Sequence, residues 1–275
     1  MAHLRMGARP CLGATRRRAA AALAPLHALV RAARSAARAA PTSPGAADMA
    51  LLTQPCWDAV TPVLRELLCF VGHQDFGERF YLAGGTALAL CIGHRRSVDL
   101  DFFSSVDPVS RATRQEIIHA FAPLGGQTLE DTEGHLLLEA RGVHVGFFGY
   151  GYPLLATTNS VEGVALAGIL DIGLMKLDAL ISRASRKDFY DLYWIAREVS
   201  LDALLARGPE KYPHARDFEL LAVESLVFFD NADRDLAPAL LVDVPWEDVK
   251  RFFRAEARRL GEQWWPEIGQ YLRQA

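Results

Sequence analysis

"YLAGGTALALCIGHRRSVDLDFFSS", Tyr81 to Ser105, decides the reading of this chain. An apolar lead-in meets Gly84, Gly85 and Thr86, a short apolar run follows, and the basic turn His94–Arg96 precedes Asp99 and Asp101. The pattern predicts a strand, a glycine turn, a short helix and a second strand, with Gly93 as a left-handed helix stop. Residues two apart on a strand share a face, so Asp99 and Asp101 project together while Val98, Leu100 and Phe102 turn toward a core. Two ionised carboxylates this close repel each other, and in a cleft that arrangement points to a cation between them. Oxygen ligands without His or Cys suit Mg²⁺, with Mn²⁺ as the alternative.

The glycine turn supplies the complementary half. Glycine permits close backbone approach, amides at the start of the following helix favour an anion, and the Thr86 hydroxyl adds a donor. Phosphates on the amides and metal on the aspartates place a nucleoside triphosphate between the two strands, a geometry for in-line attack on phosphorus. A lone Gly-Gly turn or a lone Asp-x-Asp is a weak signal. Both together, on strand–turn–helix–strand, are far more specific.

Outward from this stretch, apolar residues at helical spacing (Val60, Val63, Leu64, Leu67, Leu68, Val71) predict a helix over residues 54–71. Residues 109–124 read as another helix, and "HLLLEARGVHVGFFGY" as two strands about Arg141-Gly142. After residue 155 helical patterns dominate, with Asp171 as a cap and a break near Pro238 and Pro245. The expected fold is therefore α+β: a small mixed β-sheet core flanked by helices over 49–155, then a mainly helical C-terminal domain over 156–275.

The 275 residues carry a net charge of −3, but residues 1–48 alone hold eight arginines, no lysine and one acid. The remainder is therefore acidic and not a general polycation for nucleic acid. Residues 1–48, rich in alanine, read as a disordered basic extension. A transit peptide and an RNA-touching arm are the alternatives, with Met49 as the natural start of the working protein. Cys11, Cys56, Cys69 and Cys91 show no metal-ligand spacing, and Cys69 and Cys91 read as core residues in a reducing compartment. The longest uncharged run near the motif, Phe80–Gly93, is too short to span a bilayer, so no membrane partner and a cytoplasmic location are expected.

The Gly-Gly, small hydroxyl residue and Asp-x-Asp signature resembles that of the DNA polymerase β-like nucleotidyltransferases. More narrowly, "YLAGGTALALCIGHRRSVDLDFFS", "DIGLMKLDALISRASRKDFYDLYWI" and "ESLVFFDNADRDLAPALL" are similar to the AbiEii/AbiGii toxin family over most of 55–255. The resemblance implies that Gly84, Gly85 and Thr86 meet the triphosphate and that Asp99 and Asp101 hold the metal. It places Lys176, Lys187, Asp188 and Asp191 at the family's other shared polar positions. There Lys176 would stabilise charge on the transferred group, and Asp188 and Asp191 would orient a lysine, bind a base or sugar, or help remove a proton. Arg95 and Ser97 match the family pattern, Arg95 either pairing with phosphate or tying the turn to a carboxylate.

In this frame the chain is expected to move a nucleoside monophosphate from an NTP to an acceptor hydroxyl, such as a tRNA end. It would be the toxin of a toxin–antitoxin or phage-defence pair, with an antitoxin as partner. The alternatives are a non-catalytic nucleotide- or antitoxin-binding relative and an enzyme modifying a small molecule such as an aminoglycoside. One departure stands out. The third acid that hydroxyl-extending relatives carry falls at Gly146, with Glu139 across the hairpin as an unconvincing substitute.

Overall fold

A computed structural model describes residues 54–265, so the expectations for residues 1–48 lie outside it. The first helix begins later than the apolar spacing suggests. Residues Trp57–Ala59 form a single 3₁₀ turn, and α1 spans Pro62–Gly72. Proline has no N–H to lose in a first turn, and the Thr61 hydroxyl accepts the Leu64 amide at 3.2 Å. Strand β1 (Tyr81–Leu82) runs into α2 (Gly84–Ile92), which Gly93 ends in the left-handed region at φ 71°. Strand β2 follows at Leu100–Ser104, then α3 at Arg111–Phe121.

Strands β3 (Gln127–Thr132), β4 (His135–Ala140) and β5 (Val143–Gly149) form a meander, and β6 (Asn159–Val161) and β7 (Val164–Leu166) a short hairpin. All seven join one mixed sheet in the order β3-β4-β5-β2-β1-β7-β6. Strand β2 lies antiparallel to β1 and parallel to β5, and β1 lies parallel to β7. Two strands past residue 155 thus complete the sheet that the sequence pattern ends there.

The two faces of the sheet differ, as strand alternation requires. Leu100, Phe102, Leu136, Leu138, Val145 and Phe147 are buried on one face. Phe102 and Phe147 stack at 5.1 Å, and Phe76, Phe80 and Phe121 meet the Phe147 ring by their edges. Each such ring contributes about 1.5–3 kcal/mol by burial. The other face carries Asp101, Phe103, His135, Leu137, Glu139, His144 and Phe148 at partial or full exposure. Val98 departs from the expected alternation and is 61% exposed. The ladder begins only at Leu100, and the chain before it bonds elsewhere: Ser97 N–H donates to Ala59 O and Arg96 N–H to Ala239 O.

Five helices follow: α4 (Ile169–Ser182), α5 (Arg186–Ile195), α6 (Leu201–Lys211), α7 (Phe218–Ser225) and α8 (Trp246–Trp264). Helix α4 is the hub, meeting α2, α5, α6 and α7. Asp171 is not its cap. The N-cap is Gly168, and Asp171 lies buried within the first turn. There its carboxylate accepts the Leu155 and Ala156 amides at 3.0 and 2.9 Å and pairs with Lys211 Nζ at 2.7 Å. Between α7 and α8 an irregular segment returns to the front of the sheet, where the Leu241 amide donates to His94 O at 2.9 Å and Leu240 bridges Arg95. Among the described residues, no helix is long and apolar enough to cross a membrane.

Candidate active site

The site forms where the start of α2 meets the open face of β2. Gly84 takes φ +66°, and a β-carbon there would stand 3.2 Å from Asp101 Oδ2. The turn and the inner carboxylate are thus in contact across a gap only glycine leaves open. The N-cap of α2 is Ala83, which offers no side-chain hydrogen bond, so the amides of the first turn remain available to an anion. Burial, and then the charge of Asp99, push the Asp101 carboxyl above its ordinary range, while Lys176, Lys187 and Arg183 act in the opposite sense. Asp99, just ahead of β2, is more open, with 41% of its side chain exposed.

This donor set fits a divalent cation: two carboxylates on one open face, beside a turn built for an anion. Among the described residues no three His, Cys, Asp or Glu side chains already converge as a metal cluster. The protein's own share is therefore the two aspartates, with water and phosphate oxygens left to complete the shell, as Mg²⁺ prefers.

Thr86 and Ser97 are turned inward rather than toward a ligand. The Thr86 hydroxyl donates to the Asp99 carbonyl oxygen and lies 2.8 Å from the Ser97 hydroxyl, both residues being buried. They fix the backbone that presents Asp99. Arg95 is likewise buried beneath the turn: a β-carbon at Gly85 would stand 2.3 Å from its Nη2. Its Nε and Nη2 donate to Asp191 at 2.6 and 2.8 Å, and its Nη1 to the Arg96 carbonyl at 3.0 Å. Of the two roles the sequence left for Arg95, the structure takes the tie to a carboxylate.

Below this lies a continuous buried ion network. Asp191 also meets His94 Nε2 at 2.8 Å and Lys176 Nζ at 2.6 Å. Lys176 Nζ donates to Asp188 at 2.9 Å, and Asp188 also accepts from Arg183 Nε at 2.8 Å and Ser185 Oγ at 2.5 Å. Burial opposes the charge of both aspartates, yet Lys176 and the arginines hold each carboxyl well below the usual range. Burial also opposes the Lys176 charge, and Asp191 and Asp188 outweigh it, raising the ammonium above its ordinary value. Asp188 and Asp191 are fully buried, so of the three roles left open for them they take the first, orienting Lys176.

Lys187 is exposed, and with Arg183 it acts electrostatically on Asp101. The sequence reading missed Arg183. Its side chain is 56% exposed although two of its nitrogens are held on Asp188. The signal was present in "SRASRKD", three cations within five residues just ahead of Asp188. Gly146 lies on β5 in register with Asp101, so the β5 position beside the inner carboxylate carries no side chain.

The family model described as nucleotidyl transferase AbiEii toxin, type IV toxin–antitoxin system, matches residues 66–159. An uncharacterized protein of Aquifex aeolicus is 34% identical over 198 residues, 70% of this chain and 94% of that protein. Among solved structures, MenT4, a nucleotidyltransferase toxin of Mycobacterium tuberculosis, is 18% identical with a TM-score of 0.47, covering 76% of this chain and 90% of its own. JHP933 of Helicobacter pylori is 18% identical with a TM-score of 0.43, covering 77% and 96%. The enzyme class is nucleotidyltransferase. The chain belongs to the AbiEii toxin family of nucleotidyltransferases.

Proposed function

We propose that this protein transfers a nucleoside monophosphate from an NTP to an acceptor hydroxyl in a divalent-metal-dependent reaction, with a tRNA end as the acceptor and an antitoxin as its biological counterpart. The observation that carries the proposal is the contact of Asp101 with the glycine turn, Oδ2 standing 3.2 Å from the β-carbon position of Gly84. That contact puts a phosphate-binding backbone and a metal-binding carboxylate within reach of one triphosphate.

The amides of Gly84 and Gly85 bind phosphate oxygens at the open end of α2. Asp99 and Asp101 would hold Mg²⁺ or Mn²⁺, which when bound neutralises triphosphate charge and orients the α-phosphate for in-line attack. Thr86 and Ser97 hold the Asp99 backbone in place. Lys187 and Arg183 supply positive charge over the same face, where pyrophosphate leaves. Lys176, locked between Asp188 and Asp191, acts as a positioning residue: with Arg95 it joins α4 and α5 to the floor of the glycine turn. The family's toxin description supports the antitoxin assignment, and the hydroxyl acceptor follows from the reaction class.

The test is label transfer from each α-³²P NTP, with Mg²⁺ or Mn²⁺, to total RNA, comparing the wild type with Asp99→Asn/Asp101→Asn. Labelled tRNA-sized RNA that requires both aspartates is expected. Label on a small hydroxylated molecule but not on RNA would overturn the acceptor, and label that survives both substitutions would overturn the site.

A further inference from the structure

Gly146 leaves the position beside Asp101 without a side chain, and the Phe148 ring leans over it, a β-carbon there standing 2.6 Å from the ring. Two residues back along β5, and therefore on the same face, stands His144. It is half-exposed, with Nδ1 3.6 Å from Asp99 Oδ1. Its other nitrogen, Nε2, lies 4.0 Å from Oε2 of Glu139, its cross-strand partner on β4. One imidazole thus stands between a candidate metal ligand and a second carboxylate.

We infer that His144 is a third protein ligand to the cation held by Asp99 and Asp101, with Glu139 as the carboxylate that orients its ring. The inference rests on the metal-dependent reading of the aspartate pair. Geometry supports it. Two ligands each about 2.1 Å from one ion stand about 3.0 Å apart at a right angle and about 3.4 Å at the tetrahedral angle. The observed 3.6 Å is too long for a hydrogen bond and close to that spacing. The ring is exposed enough to turn by the remaining few tenths of an ångström, which is why no finished three-ligand cluster is present beforehand.

The chemistry of the ring agrees. With Nε2 turned toward a carboxylate, the ring presents Nδ1 to the aspartates, the arrangement of metal-bound histidines. The departure at Gly146 is then a change of ligand type rather than a loss of one. Imidazole suits Mn²⁺ and its heavier neighbours better than Mg²⁺, so this chain's metal preference moves away from a purely carboxylate site.

The experiment is Mn²⁺ binding by the full chain, with free Mn²⁺ counted by electron paramagnetic resonance and ¹⁴N coupling to the bound ion read by electron spin echo modulation. Wild type is expected to bind Mn²⁺ with a ¹⁴N coupling. His144→Ala, checked for folding by circular dichroism, should bind it about 10- to 100-fold more weakly without that coupling and show a smaller preference over Mg²⁺. Glu139→Gln should keep the coupling and lose a few-fold in affinity. Mn²⁺ bound by the wild type without ¹⁴N coupling, and released by Asp99→Asn/Asp101→Asn, would overturn the role of His144 while leaving the aspartate site standing. Mn²⁺ binding indifferent to the two aspartates would overturn the metal site itself.

Discussion

Asp101 on β2 lies in register with Gly146 on the parallel strand β5, so the inner carboxylate has bare backbone for its neighbour. Gly146→Asp would add a third carboxylate beside Asp101, but its β-carbon would press on the Phe148 ring, and its charge would join a carboxyl already held up by burial and Asp99. The variant should lose about 1–3 kcal/mol in urea denaturation and gain no activity. Adding Phe148→Ala should recover part of that loss beyond the sum of the two single changes. A Gly146→Asp protein as stable as wild type would show that the crowding is not real.

Asp101→Asn should separate stability from function. Removing a charge that burial disfavours should raise the melting temperature of the metal-free protein. Transfer activity should fall by about 10³-fold, as expected for loss of a group that acts on transition-state charge. Differential scanning fluorimetry and label transfer on one preparation read both. A lower melting temperature would contradict the assignment of Asp101 as a strained carboxylate.

The buried network sets the acid limb of stability. Asp188 and Asp191 have folded carboxyl pKa values below the unfolded range of about 4. Their contribution is therefore full above that range, begins to fall away as pH drops into it, and is lost progressively as pH falls on toward their depressed folded values. Asp191→Asn strands the buried Arg95 without its carboxylate and leaves Lys176 with Asp188 alone, and should cost about 3–5 kcal/mol at neutral pH. It should also flatten the stability profile between about pH 5 and 3, which denaturant titrations across that window would reveal.

Gly85→Ala probes the floor of the turn. The guanidinium that the new methyl would meet at 2.3 Å is pinned on Asp191 by two hydrogen bonds and cannot simply swing away. A destabilisation of about 1–3 kcal/mol and a raised KM for NTP are expected. Unchanged kinetics would remove the Gly85 amide from the phosphate site.

The central unit was legible because its signals are local. Glycine at positive φ, a helix stop at Gly93 and the period-two run to Phe102 are each dictated by a few neighbouring residues. Strand β3 was not, because Gln127–Thr132 is exposed along its whole length and carries no apolar alternation. Nor was the fate of Asp188 and Asp191. Charges at helical spacing look like a solvated face until tertiary packing brings Arg95, some ninety residues earlier in the chain, onto the same carboxylate. His144 escaped notice for the same reason, since its partner Asp99 lies on another strand's approach, whereas the local signal for Arg183 went unread.

The strap formed by residues 239–242 across His94–Arg96 has a consequence for timing. The turn that aims Asp99 is tied from both sides only once a segment some 140 residues further along the chain has been made. A nascent or truncated chain ending before Ala239 would contain the glycine turn, both aspartates and the ion network, yet lack the stitch that holds their approach.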